Sequence, residues 1–477
     1  MEEQQERRNG GEKEGGQPSK NSGKTGPKPK EHRIDIVEIN QHWNWFVQHA
    51  KERIQSQSQW PRIPKVPQML RGTKGFKKFY EPRVISLGPY HHGNPHLLPG
   101  EMIKPLCAEK FVADSNQDIE ALYTKIESNI RAVRNCYDEI SFEYCDEELA
   151  WMMLLDGCFL LYFILCLVTK NTSKLHGLNV KDHMIAFVNQ DLFLLENQLP
   201  FGVLMLIFEE AKFDDGSTME EMTEKFVTDT AWPEKFATDT AWPEGRKSKI
   251  QIGPHLLHIF RSAFLGGSEN CIKKEPQRQQ GDRKSFRHIM ELKAAGIRFK
   301  RSTTFLTDIS FKSDFFWGYL TLPLIIIDGS TKLLFLNIVA YEMCLDGPGD
   351  HRFTSYMRFL DNLIDHADDV KELRSKHILY NGLSSDEEVV QTLNEIYTDW
   401  VDLDAYEEVR TSIQTHYDRR VNAWIAEALH DHFRSPWTFM ALIAAVWMLI
   451  LTGLQTYYAH PGKHIIHIYI MSLGLDK

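Results

Sequence analysis

Four groups of side chains have types and spacings that could do chemistry. Tyr90, His91 and His92 stand together in ISLGPYHHG, residues 85–93; an imidazole beside a phenol can move protons near neutral pH. Glu196, in LENQLP at 195–200, could be a general base if folding carries it to that loop. The pair would then suit a hydrolase. Asp361, Asp365, Asp368 and Asp369 surround His366, and the first three can share one helical face whose oxygens suit a hard cation. His460, His464 and His467 have metal-compatible spacing near the C-terminus. Each group also has a plainer reading, and it is the preferred one. Adjacent histidines point apart and serve a turn. Glu196 accepts backbone N–H bonds. The aspartates form a solvated acidic face, and the tail histidines sit at lipid headgroups. No P-loop, GxSxG elbow, HExxH or kinase signature is present. The expectation is therefore no cofactor, no metal and no assignable catalytic residue.

Twenty-two residues near the C-terminus, Trp437 to Tyr458, carry no charge. As a helix they cover about 33 Å, enough for a hydrocarbon core of about 30 Å. Trp437 at one end and Tyr457 and Tyr458 at the other suit the headgroup layers. Arg419, Arg420 and Arg434 precede the run, and Lys463 and Lys477 follow it. That bias is consistent with a cytosolic N-terminal side. A second apolar run, 147–168, has Asp156 and Gly157 at its middle. An aspartate at mid-bilayer costs about 2.5–3.5 kcal/mol, so this run is expected to be a buried core helix.

The chain has 477 residues, 42% hydrophobic and 25% charged, with a net charge of −10. These proportions are globular, and the charge offers no general case for nucleic-acid binding. Seven cysteines, without CxxC spacing, speak for reduced thiols rather than a disulfide framework or zinc ribbon. Residues 2–33 contain no apolar side chain, which excludes a secretory signal there and predicts a disordered polar arm over 1–33.

Periodicity places a helix near 34–54, extended chain through Pro61, Pro64 and Pro67, and a short strand over 82–90. A helix covers 119–133, and the run 192–208 reads as helix, polar turn, helix. The segment KFVTDTAWPE at 225–234 is repeated as KFATDTAWPE at 235–244. It is expected to be a surface loop, within a loop insertion spanning about 212–284. Strand character over 297–327 predicts a small antiparallel sheet, and 331–344, 354–367, 370–379 and 386–398 read as helices, the last with a Ser385–Glu388 capping box.

Several long segments together resemble one known family. They are IPKVPQMLRG (63–72), EPRVISLGPYHHG (81–93), LAWMMLLDGCFLLYFI (149–164), NQDLFLLENQLPFGVL (189–204), ELKAAGIRFKRS (291–302), LTLPLIIIDGSTKLLFLNIVAYEMC (320–344) and TSYMRFLDNLID (354–365). The chain resembles the plant family called domain of unknown function 247. The resemblance implies a single C-terminal transmembrane helix and no established catalytic residues.

The expected fold is mainly α, with a helical domain over 34–435, a transmembrane helix at 436–458 and a short tail at 459–477. The expected protein is a membrane-anchored interaction or recognition component. It is single-pass with a cytosolic N-terminal domain, placed at the plasma membrane, held by the lipid bilayer through Trp437–Tyr458 and bound to a protein partner. The alternative is the hydrolase-like enzyme built on Tyr90–His92 and Glu196.

Overall fold

The computed structural model describes residues 61–137, 144–213, 216, 218–233, 253–266, 287–302, 309–314, 317–396, 406–418 and 436–459. All belong to one unit, Ser58–Lys477. The polar arm, the helix expected near 34–54, Cys271, the second decapeptide copy, the basic residues flanking the C-terminal run and His460, His464 and His467 lie outside the described residues.

The protein is mainly helical, and its core forms around the helix Asp146–Val168. From Met152 to Cys166 only Leu155 escapes full burial. A helix apolar on all sides must be surrounded, and helices Lys104–Ser115, Ile119–Ser128, Phe201–Phe208 and Met219–Ala231 supply the cover. The core-helix expectation for 147–168 holds: 78% of its most apolar window is buried. Cys145 and Glu148 close its N-terminus as a capping box. At Gly157 the helix meets Phe201–Phe208 so closely that a Cβ would lie 2.3 Å from Ile207 Cδ1.

The strands are β1 (Ile297–Arg301), β2 (Ser310–Ser313), β3 (Gly318–Leu322), β4 (Ile325–Ile327) and β5 (Leu379–Asn381). The antiparallel expectation needs correction. β3 lies between its neighbours, antiparallel to β2 with Phe311 opposite Leu320, but parallel to β1 with Phe299 opposite Leu320. β4 and β5 form a separate parallel pair, with Ile326 opposite Tyr380. β5 begins at a residue expected to end a helix; Ala367–Ser375 stops earlier, and His377 turns the chain at φ +55°. The strand expected over 82–90 is not formed: the segment joins no sheet, bends at 83–84 and 88 and turns at 89–90.

The insertion 212–284 is not simply a loop. It contains two core helices, Met219–Ala231 and Leu256–Leu265. The first decapeptide copy forms the end of the former. Phe226, Val227, Ala231 and Trp232 are buried, and Phe226 stacks on Phe193 at 5.9 Å between ring centres. Helical spacing hides Phe226, Val227 and Thr223 on one face and exposes Lys225 and Asp229 on the other.

The helix Pro436–Ala459 has 24 residues, about 36 Å of rise. Every residue from Met440 to Thr456 is exposed.

Phe226→Ala should destabilise the domain by about 3–5 kcal/mol, the usual cost of emptying a packed aromatic site. Urea denaturation followed by tryptophan fluorescence measures this. A loss under about 0.5 kcal/mol, as expected for an exposed loop, would contradict the packing.

Candidate functional site

The helix Asp182–Asp191 ends in a run of turns, Leu192–Leu199, before Pro200 starts Phe201–Phe208. Every residue from Asp191 to Pro200 is buried. Irregular backbone in a core leaves N–H and C=O groups that need partners, and the polar residues of this run provide many of them. Gln198 Nε2 donates to the carbonyls of Leu192 at 2.7 Å and Leu194 at 2.8 Å, while its Oε1 accepts from Leu257 N at 2.9 Å. Asn197 Nδ2 donates to Asp191 O at 2.9 Å and Ile85 O at 3.1 Å, and its Oδ1 accepts from Leu87 N at 2.6 Å. Asn337, from the helix Thr331–Glu342, accepts from Leu195 N and donates to Phe79 O, each at 2.8 Å.

The carboxylates work outward from the same place. Asp191 accepts from the backbone of Arg83, Val84 and Ile85 at 2.7–3.2 Å. Glu196 accepts from Val66 N at 2.8 Å and pairs with Arg71. Asp156 accepts from Gly88 N at 2.8 Å and pairs with Lys104 at 2.6 Å. Lys104, itself buried, also donates to Glu101 at 2.6 Å and Ser86 Oγ at 3.3 Å, which occupies all three ammonium hydrogens. Irregular chain at 64–67 and 83–88 is thus packed onto the core and held by side chains in place of a sheet ladder. Gly88 is required here. Its φ is +70°, and a Cβ would lie 2.8 Å from Tyr137 Oη.

The structure brings His91 and Glu196 together, with Nε2 and Oε2 3.6 Å apart. They make no ion pair at neutral pH, because burial and the nearby Arg71 guanidinium push the His91 imidazole down to about 4. His92 instead lies edge-on to Tyr144 at 5.8 Å between ring centres, with Nδ1 3.7 Å from Glu101 Oε2, and Tyr90 donates to Ile63 O at 2.8 Å. Glu196 is fully engaged with Val66 and Arg71. The preferred reading of Glu196 was right in kind, but the N–H group it holds belongs to a distant segment, not to its own turn.

The acidic cluster divides. The helix expected over 354–367 ends at Leu363, so Asp361, Asp365 and Asp368 share no helical face. Asp369 is wholly buried and accepts from Met290 N, Asp365 N, His366 N and the His288 imidazole at 2.8–3.1 Å. It fastens two helix starts. Among the described residues no group of three or more His, Cys, Asp or Glu is placed to hold a metal ion. Glu342 does similar work. It accepts from Phe353 N, Thr354 N and Thr354 Oγ1 at the start of Arg352–Leu363, and pairs with Arg261. Of these groups Asp156, Glu196, Asn197 and Gln198 stood out in the sequence as polar breaks in apolar runs. Lys104, Asp191, Asn337 and Glu342 gave no such signal.

This geometry defines a class of protein, an α-rich domain pinned by buried side-chain bonds to irregular backbone and joined in sequence to an exposed apolar helix. The chain belongs to the plant family of unknown function known as domain of unknown function 247, whose model matches residues 63–451. It is similar to a UPF0481 protein of Arabidopsis thaliana, with 28% identity over 80% of this chain and 82% of the relative. A putative UPF0481 protein of the same plant shares 23% identity over 79% of this chain and 86% of its own length. No solved structure matches the chain.

Asp191→Ala should cost about 3 kcal/mol or more, because three backbone N–H groups lose their acceptor; Asp191→Asn, which keeps one oxygen, should cost less. Chemical denaturation of both variants tests this order, and equal losses would contradict it. Acid should also weaken the fold. Burial depresses His255 to about 3 and His258 to about 4, as it does His91. Between pH 6.5 and 4 the unfolded chain binds protons there that the native chain refuses, so stability falls with pH. Asp191, raised by burial to about 6, and Asp156, also raised by burial, act in the opposite direction and offset part of this loss. A net loss of stability from pH 7 to 5 is expected, read from denaturation midpoints.

Proposed function

We propose that the protein is a membrane-anchored component whose helical domain stands in the cytosol and binds a protein partner. The observation that carries this reading is the 24-residue helix Pro436–Ala459, uncharged along its length and exposed at every residue from Met440 to Thr456. Exposed apolar surface of this extent marks an interaction with lipid or protein, and a helix meets the bilayer with its backbone already bonded. Six cysteines among the described residues are free, which suits a reducing compartment. The partner half of the reading rests on the way the titratable groups of the core are occupied. Glu196, Asp156, Lys104, Asp191, Glu342 and Asp369 hold backbone or one another, and this leaves outer surfaces to act. Anchoring would raise the effective concentration of partners at the membrane.

Alkaline carbonate washing of vesicles should leave the full chain in the pellet, while a 1–435 version should be soluble. Val446→Arg combined with Leu449→Arg adds about 5–7 kcal/mol to insertion and should move the protein to the supernatant. Extraction of the unaltered chain by carbonate would end the anchor reading. Proximity labelling from the N-terminal domain should recover partners that are lost when residues 436–477 are removed; no reproducible partner would end the interaction reading.

A further inference from the structure

The three-stranded sheet has two unlike faces, because side chains alternate along a strand. Ile297, Phe299, Leu320 and Leu322 point inward and are buried. The helix Glu407–Tyr417 closes the β2 side of that face, with His416 Nδ1 2.7 Å from Ser313 Oγ and its ring 5.7 Å from the ring of Phe311. The outer face carries Arg298, Lys300 and Lys312, all exposed. Arg298 and Lys312 flank Tyr319 in one row across the three strands, and Lys300 stands opposite Thr321, two residues along.

Like charges on one face repel one another unless something neutralises them. Arg287 and Lys293, which precede β1, are met by Glu291 and Glu372. Arg298, Lys300 and Lys312 pair with no carboxylate among the described residues, and the one carboxylate in the described part of 297–322, Asp314 at the end of β2, bonds none of them. Two of the cations rest instead on aromatic rings, Arg298 over Trp317 at 3.9 Å and Lys300 over Tyr319 at 3.8 Å. A ring fixes a cation without cancelling its charge. The chain as a whole carries −10, so this face is a local exception and suits an anion.

The chain itself brings one anionic surface within reach. Residues 418–435 alone separate the helix that abuts the sheet from Pro436–Ala459. Fully extended, such a stretch spans at most about 65 Å, so an anchored chain keeps the sheet within that distance of a leaflet. A nucleic acid arriving from solution would instead meet the net negative charge of the whole protein. We propose that the outer face of the sheet docks on an anionic bilayer surface, with Arg298, Lys300 and Lys312 on lipid phosphates and Tyr319 and Trp317 at the headgroup layer, where amphipathic rings are favoured. This rests on the anchor reading and gives the domain a fixed orientation on the membrane. From the usual attraction of each Lys or Arg to an anionic leaflet, the docked orientation gains about a hundredfold over an uncharged face.

Amine acylation of the full-length chain in nanodiscs, followed by mass spectrometry, tests this. Discs of phosphatidylcholine alone are compared with discs of phosphatidylcholine and phosphatidylglycerol in roughly equal amounts. In the anionic discs Lys300 and Lys312 should react about three- to tenfold more slowly, and Lys110, exposed on Lys104–Ser115, should react alike in both. The protection should vanish at about 1 M salt, where the screening length is about 3 Å. Arg298→Gln with Lys300→Gln alters exposed side chains, so the unfolding midpoint should stay while protection of Lys312 is lost. Equal reaction of Lys300 and Lys312 in the two discs, equal slowing at Lys110, protection that survives the double variant, or protection in neutral discs by soluble glycerol phosphate or single-stranded RNA overturns the proposal. A chain that co-elutes with the discs but shows no protection ends this inference and leaves the anchor reading standing; a chain that elutes apart from the discs ends both.

Discussion

The fold depends on one requirement, that backbone N–H groups of non-repetitive chain, once buried, must find oxygen. Helices satisfy their own interior groups, but the stretches 64–67, 85–88 and 192–200 are neither helix nor ladder and are largely buried. Side chains supply the missing acceptors. Asp191, Glu196, Asn197 and Asp156 each bond backbone from a segment 68 to 130 residues away. Such bonds tie sequence-distant parts without a sheet, and removing any acceptor strands a buried donor. Asp369 and Glu342 repeat the device in the second half of the chain, where the donors are the free N–H groups of helix starts.

Burying charge in this manner is stable only when every charge is met. Lys104 illustrates the point. Two carboxylates and a hydroxyl surround an ammonium that is 1% exposed. Occupied groups of this kind are poor general acids or bases, because proton transfer would first break the contacts that hold the domain. The closeness of His91 to Glu196 is better understood in the same way. It follows from threading the 83–91 segment past the buried turn, which carries Glu196 to within reach of Val66 and Arg71 as well.

Long periodic elements were legible in the sequence. The apolar helix around Asp156, the helix after Pro200 and the strands β1 to β4 fall where hydrophobic spacing put them, but the short helix expected at the start of 192–208 is a run of buried turns. Strand direction did not, because alternation reads the same in parallel and antiparallel pairs, and the direction is set by which edge of β3 each neighbour reaches. β5 was missed because the helical pattern was carried on to Leu379, whereas the helix ends at Ser375 and the chain turns at His377. The first decapeptide copy looked like a loop since Thr, Asp and Pro dominate its composition. Its Phe226, Val227 and Trp232 meet a partner surface supplied by residues elsewhere in the chain. Of the polar hub, residues that interrupt greasy runs announced themselves; those at helix ends or on ordinary-looking helices, such as Asp191 and Lys104, could be recognised only once the segments they hold were in view.

The burial of that first copy has a genetic consequence. An in-frame loss of residues 225–234 leaves Glu224 joined to KFATDTAWPE, and loss of 235–244 leaves KFVTDTAWPE joined to Gly245. Either event keeps a phenylalanine, an alanine and a tryptophan at the same distances from Thr218, the residue that caps the helix. The two shortened chains differ only in the valine or alanine that takes the place of Val227, a matter of two methyl groups. Alleles that contract at this point should therefore retain a seated helix end, and length variation among them reports on replication history and not on selection for a new contact.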